Sequence, residues 1–323
     1  MKTATVIGGG TGSFIVLSGL KKYDVDLGVI VSMMDSGGST GRLRDQLGVL
    51  PPGDLRQCLV ALSDKSYLWR RLFLYRFQKG DLKGHNFGNI FLSTLEKVTS
   101  NYEEVIKTAA FVLKLKGPVI PVTFQKTNLC AEYESGKVIK GEDKIDENIK
   151  ETSRIKCAFL SPLVSANKRA IKRIKETHYL IVGPGDLYTS IIPILLVKGI
   201  KKAIASSKLK IIYIMNLMTK TGQTSGYTAV DHLKDLAFYL GKKPDFIIIN
   251  NGQIKKSVLN WYSKNNEKPV KDNIKDYDFK GKIIRSDLVD SNIFKKPKAD
   301  KLIRSILRHD SKKLAKEIIN LIK

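Results

Sequence analysis

An α/β fold, with a parallel sheet covered by helices on both faces, is what this sequence predicts, and three observations predict it. Short apolar runs of strand length alternate with stretches of helical period along most of the chain. Two of those runs, TATVIGGG and YLIVGPGD, end in a glycine turn that leads straight into a helical pattern. A chain of 323 residues with 42% hydrophobic content can also bury a core of the size such a sheet needs.

Thr5 to Gly8 and Leu27 to Met33 read as buried strands joined by a crossover helix over Ser13 to Lys22, a βαβ unit. Pro51 to Asp54 sets an entry turn, with Asp54 as helix N-cap, for a helix over Leu55 to Leu62. Tyr67 to Phe77, Phe87 to Val98 and Tyr102 to Lys116 follow as helices, so a helical insertion is expected near 54–116. Val119 to Phe124 and Leu129 to Tyr133 read as strands, and the turn Glu134 to Lys137 returns the chain into Val138 to Lys140 as a hairpin. The charged stretch Gly141 to Arg154 reads as a surface loop, which closes a small β-hairpin insertion near 124–156. The α/β pattern then resumes: strand Tyr179 to Val182, helix Ile191 to Lys198, strands Lys210 to Met215 and Asp245 to Asn250. Beyond Gly252 the chain is rich in lysine and asparagine and closes in an amphipathic helix from Ser311. With no internal repeat and no low-complexity linker, one nucleotide-binding α/β domain over 1–323 is expected.

The charge balance, 56 − 31 = +25, makes a field that favours phosphates, nucleic acid or anionic surfaces. A lysine-rich composition spread over solvated faces accounts for it equally, and no nucleic-acid-binding motif accompanies it. Tyr67, Trp69, Arg70, Arg71, Phe73, Tyr75, Arg76 and Phe77 interleave aromatic and basic residues. At helical spacing the aromatics are expected to pack in a core with the arginines reaching outward. Cys58, Cys130 and Cys157 match neither zinc nor redox-pair spacing and read as reduced thiols. The first strand is entered directly, and no apolar run approaches the ~18 residues of a membrane span, so a cytoplasmic protein without membrane insertion is expected.

The candidate site residues lie in glycine turns. Gly8, Gly9, Gly10, Thr11 and Gly12 join the first strand to the first helix, where bare backbone lets N–H groups approach a phosphate. A glycine turn can also merely make a corner, but four glycines exceed that need. No Gly-Lys-Ser/Thr follows, which removes the P-loop reading, and Ser13 stands where a dinucleotide fingerprint has its third glycine. Asp35 closes the second strand where a ribose-binding acid would lie, and Gly37, Gly38 and Ser39 follow it in a turn suited to a ribose or a metal. The other reading is a mobile turn capped by Asp35. Asp54 is a second carboxylate that could share one Mg²⁺ with Asp35, or simply cap its helix. His85, Asn86 and Asn89 open a helix and could touch a base, sugar or phosphate, or could cap and pack. Gly183 and Gly185 form a second glycine turn, and Asn216 and Thr219 end another strand. A Ser/His/Asp set and HExxH are absent.

These turns carry a resemblance. VIGGGTGSF (Val6 to Phe14), GGSTGRLRDQLGVLPPGDLRQCLVALSD (Gly37 to Asp64), GHNFGNIFL (Gly84 to Leu92), VGPGDLYTSIIPILLVKGI (Val182 to Ile200) and NLMTKTGQTSGYTAVDHL (Asn216 to Leu233) closely resemble the bacterial gluconeogenesis-factor family, and a weaker similarity extends to RHDSKKLA (Arg308 to Ala315). That family is related to the 2-phospho-L-lactate transferase of deazaflavin-coenzyme biosynthesis. The resemblance implies a cytoplasmic, dimeric protein with a Rossmann-like nucleotide site. It further implies a regulator that binds UDP-sugars without catalysis, works with cell-wall synthesis proteins, and supports cell shape on gluconeogenic carbon sources. By motif match Gly10, Thr11, Gly12, Asp35, Gly185 and Asn216 would hold the nucleotide, and acids similar to Asp35 and Asp54 serve a divalent metal, Mg²⁺, in the transferases. Relatives usually carry a second acid where Ser36 stands and an acid where Gln223 stands. Both departures weaken the alternative, a Mg²⁺-dependent transfer of a phospholactyl group to a deazaflavin alcohol. A nicotinamide-dependent oxidoreductase is a more distant option.

Overall fold

The structure is a computed structural model that describes residues 1–65, 67–294, 296, 299–300 and 305–322. In chain order it contains β1 (Thr3–Gly8), α1 (Gly10–Leu20), β2 (Asp26–Val31), α2 (Gly38–Leu47), α3 (Gly53–Leu62), α4 (Tyr67–Leu74), α5 (Phe87–Val98), α6 (Tyr102–Leu113) and β3 (Val119–Pro121). Next come β4 (Asn128–Tyr133), β5 (Val138–Lys140), α7 (Glu142–Asp146), β6 (Ile155–Ser161), α8 (Lys168–Glu176) and β7 (Tyr179–Val182). A π-helical turn over Leu187–Ile191 leads into α9 (Ile192–Leu196) and α10 (Ile200–Ala205). The chain ends with β8 (Lys210–Ile214), α11 (Ala229–Leu240), β9 (Phe246–Asn250), α12 (Lys256–Ser263), β10 (Lys282–Ser286) and α13 (Ser311–Ile322).

Strands such as β1 and β7, buried almost end to end, need cover on both faces, which is the environment of a parallel sheet. They form one: seven parallel strands in the order β10-β9-β8-β7-β1-β2-β3. From β1 the chain steps toward β3, whereas from β7 it steps the opposite way, toward β10. Right-handed crossovers in opposite directions put their helices on opposite faces. Thus α1, packed on α3 and α13, covers one face, and α8, α9 and α10 cover the other. The α/β class with helices on both faces is therefore what the chain adopts.

One side chain ties a helix layer to the sheet. Arg173 of α8 donates from Nε to Thr5 Oγ1 at 2.9 Å, from Nη1 to Asp26 Oδ2 at 2.9 Å and from Nη2 to the Asp26 carbonyl at 2.8 Å. Its guanidinium lies over Gly28, where any side chain would crowd it.

Four local expectations need correction. The insertion after β3 is not a hairpin alone: β6 pairs antiparallel with β4, giving a three-stranded sheet β5-β4-β6. Gly141 to Arg154 is not simply a surface loop, because α7 forms within it, anchored by the fully buried Ile145. Asp54 is not the N-cap of α3; Pro52 holds that position and Asp54 lies inside the first turn. The aromatics of α4 do not pack in a core, since only Phe73 is buried, against the edges of Phe87 and Phe91. Tyr67 is 75% and Leu68 62% exposed. A short helix with apolar residues nearly all round, resting on α3 and α5 along one edge, has no second surface among the described residues to bury them against.

Among the described residues no helix is long and apolar enough to cross a membrane.

Candidate functional site

The reversal of strand order between β1 and β7 opens a crevice at the carboxyl ends of the strands, where open α/β sheets hold ligands. A cavity of about 230 Å³ lies there, lined by the turns after β1, β2, β7 and β8.

The β1 turn supplies a helix start without a cap. Gly9 is the N-cap of α1 and brings no capping side chain, no acid stands within the first turn, and the Asp54 carboxylate lies beside Gly9. Gly9, Gly10, Thr11 and Gly12 all line the cavity. A helix leaves the N–H groups at its start unpaired within itself, with the positive end of its peptide dipoles behind them, and this favours an anion there. Gly12 has a steric role as well, since a side chain there would drive into the Pro184 carbonyl. The β1 and β7 glycine turns therefore touch backbone to backbone. The start of α2 repeats the pattern, with Gly37 as N-cap, no capping side chain, no acid in the first turn, and Gly37, Ser39 and Thr40 on the cavity.

Both candidate metal-binding acids line the same cavity. Asp35 Oδ1 accepts from the Gly37 N–H at 3.0 Å, while its other oxygen fills the space that a side chain at Gly53 would need. Asp54 occupies the corresponding space beside Gly9. From the other half of the sheet come Gly185, Asn216 and Thr219, with Asn216 Nδ2 donating to the Gly185 carbonyl at 2.8 Å.

Five candidates stand behind the wall instead of on it: Gly8, Gly38, His85, Asn86 and Gly183. Asn86 caps α5, its Oδ1 accepting from the Gly88 N–H at 2.9 Å and the Asn89 N–H at 3.3 Å. His85 Nδ1 lies 3.3 Å from Ser39 Oγ, and burial together with the nearby Arg42 and Arg76 lowers its pKa. Asn89 does reach the cavity; it bridges Ser39 and Thr40 and accepts from Arg56 Nε at 2.7 Å. The GHNFGN segment thus props the Ser39 turn and reaches the cavity through Asn89.

The sequence reading missed the acids of α7. Glu142, Asp143 and Asp146, with Glu147 just after the helix, line the cavity, joined by Asp186 and Glu267. Ser36 donates its N–H to Glu142 at 3.2 Å and its hydroxyl to Asp143 at 2.6 Å, and Gln223 Nε2 donates to Asp146 at 3.0 Å. The two positions at which the resemblance departs therefore both serve α7 carboxylates, which an acid in their place would repel. The signal was present as acids spaced through EDKIDE around one isoleucine, but nothing local says that the segment folds inward.

So many carboxylates in little solvent shift one another. Burial, reinforced by Asp35 and Asp146, pushes Glu142 well above the usual carboxylate range. Burial pushes Asp186 up to about 7, with Lys220 opposing and Asp146 reinforcing. Lys220 pairs with Asp146 at 3.6 Å, and burial lowers its pKa less than Asp146, Asp186 and Glu267 together raise it. Among the described residues no group of three His, Cys, Asp or Glu is placed to hold a metal ion unaided.

Comparison with known proteins agrees with this architecture. The family described as 2-phospho-L-lactate transferase CofD matches residues 4–289. A protein of Thermoanaerobacterium thermosulfurigenes is 39% identical over 98% of this chain and 96% of its own length. The Bacillus subtilis protein named gluconeogenesis factor is 37% identical over 98% of this chain and 97% of its own. A crystal structure of a Bacillus halodurans protein superposes with a TM-score of 0.88 at 35% identity, covering 98% of this chain and 99% of that one. A match of this extent, along the whole sheet and every glycine turn, means that the chain belongs to the gluconeogenesis-factor group of the CofD family.

Proposed function

We propose that this chain binds a UDP-sugar across the switch point and acts, without catalysis, as a regulator of cell shape and wall growth under gluconeogenic conditions. The observation that carries the binding half is the meeting of the β1 and β7 turns at Gly12 and Pro184 beside the uncapped start of α1. That arrangement offers convergent N–H donors for a diphosphate. The turn after β2, with Gly37 and Ser39 on the cavity, lies on the side where such a fold receives a ribose. The regulatory half is supported by the gluconeogenesis-factor name that relatives bear.

Carboxylates crowd the same wall, and a bare diphosphate would be repelled by them. A divalent cation resolves this conflict, and the residues fit one. Asp35 and Asp54 are hard oxygen donors, and Mg²⁺ commonly takes one or two carboxylates with phosphate oxygens completing its shell. In this reading Asp35 and Asp54 hold the ion, which neutralises charge on the diphosphate when bound.

Isothermal titration of UDP-N-acetylglucosamine, UDP-glucose, GDP and NAD, each with and without Mg²⁺, tests the reading. A UDP-sugar is expected to bind, and more weakly after chelation. No binding of any UDP-sugar in Mg²⁺ removes the reading, and binding of NAD alone moves the chain to the oxidoreductase option.

A second reading, Mg²⁺-dependent transfer of a phospholactyl group to a deazaflavin alcohol, is favoured by the Asp35 and Asp54 pair and by the family description. It requires turnover with a deazaflavin acceptor that Asp35→Asn abolishes.

A further inference from the structure

We infer that His309, together with Asn216, forms a subsite that recognises the sugar end of the bound nucleotide by accepting hydrogen bonds from its hydroxyl or amide N–H groups. This rests on the nucleotide-sugar reading above, and it adds a residue from the far end of the chain that no glycine turn contains.

The orientation of the ligand follows from the sheet. If the ribose lies over the turn after β2 and the diphosphate lies between the β1 and β7 turns, then the group beyond the diphosphate falls over β8. That end of the cavity is walled by Leu217, Met218, Tyr262 and Leu307, with Asn216 and His309 among the polar residues that line it. Two buried atoms there, Asn216 Oδ1 and His309 Nε2, have no hydrogen-bond partner among the described residues. The other atoms of the same groups are used: Asn216 Nδ2 donates to Gly185, and His309 bonds the backbone of Met215.

Nε2 is the ring nitrogen without a partner, and it presents a lone pair when the neutral ring carries its proton on Nδ1. His309 is only 5% exposed, and burial lowers its pKa to about 4, so the ring stays neutral at ordinary pH. Asn216 Oδ1 is an acceptor by constitution. Leaving one buried acceptor unpaired is costly, and two on residues that line a single cavity are accounted for by a ligand that brings donors. A pyranose suits the place, with its carbon face against the leucine and methionine walls and its hydroxyls toward the two acceptors. The Tyr262 hydroxyl already accepts from the Leu307 N–H at 3.1 Å, and Val289 pairs with His309 in an isolated bridge, which holds the segment in place.

The test compares UDP with UDP-glucose by titration calorimetry in Mg²⁺, on the full chain and two variants. His309→Asn keeps an amide N–H near Nδ1 for Met215 but has nothing at the Nε2 position. His309→Gln puts an amide near Nε2. Wild type is expected to bind UDP-glucose more tightly than UDP. His309→Asn should lose about fivefold to tenfold of that preference with UDP affinity unchanged, and His309→Gln should keep more of it. Thermal unfolding of each variant establishes that it is folded. Equal weakening of both ligands by His309→Asn, no weakening of either, or a wild type that binds UDP and UDP-glucose equally overturns the inference and leaves the nucleotide reading standing. A wild type that binds neither overturns both.

Discussion

Gly12→Ala probes the contact on which the proposed site depends. A Cβ on Gly12 would stand 2.5 Å from the Pro184 carbonyl carbon and 3.0 Å from the Gly185 nitrogen. Ordinary heavy-atom contact begins near ~3.5 Å, so one turn must retreat by about 1 Å. Neither partner is a flexible side chain; both are backbone, pinned by β1 and β7 on adjacent lines of the sheet. Overpacking of this kind costs about 1–3 kcal/mol, which for a chain of this size lowers Tm by a few degrees. The larger effect falls on the ligand. Two or three hydrogen bonds to a charged diphosphate, at ~1.5–3 kcal/mol each, weaken together when the turns part, so UDP-sugar affinity should drop at least tenfold. Gly136→Ala supplies the control, because Gly136 has φ +82 in a hairpin turn with open space around it. It should lower Tm through backbone strain of about 1 kcal/mol and leave affinity unchanged. Titration calorimetry and thermal melts on the two variants decide the matter. Wild-type affinity in Gly12→Ala would refute the claim that the two turns act as one phosphate cradle.

Three further outcomes are expected. Asp186 is raised in the folded chain above its ordinary value of 3.8, to about 7, so between those values the folded state keeps a proton that the unfolded chain has released. Its contribution is therefore complete below the unfolded value and falls as pH rises toward the folded one, by ~1.4 kcal/mol for each unit the carboxyl stays raised. Asp186→Asn should raise Tm at pH 8 and leave it nearly unchanged at pH 4; equal shifts at both would contradict the assignment. Arg173→Met removes the ion pair with Asp26 and the bond to Thr5 at the sheet surface. It should cost about 2–4 kcal/mol in urea unfolding, and a loss below ~1 kcal/mol would show that α8 docks by apolar packing alone. Leu68→Ser on the exposed face of α4 should change stability by no more than ~0.5 kcal/mol, and a loss above ~1 kcal/mol would mean that Leu68 is covered.

By itself the sequence determined the elements whose cause is local. TATVIGGG reads as a buried strand running through a glycine turn into a helix, because an apolar run followed by glycines permits little else, and YLIVGPGD repeats the argument. The glycine turns and Asp35 could be named as candidates for the same reason: backbone freedom and a carboxylate at a strand end are properties of single positions. Strand order was not local, and it alone decided that the β1 and β7 turns are neighbours. The acids of α7 and the lone pair of His309 show the same limit from two sides. EDKID reads as a solvated loop until Ile145 is buried and its neighbouring carboxylates are carried to the cavity, and His309 lies far along the chain from every glycine turn until its bridge with Val289 places it beside Met215. The aromatics of α4 erred the other way, since helical spacing says which side chains share a face but not whether anything lies against it. Periodicity and turn chemistry act over a few residues, whereas burial and the charge around a group depend on segments brought together only when the sheet closes.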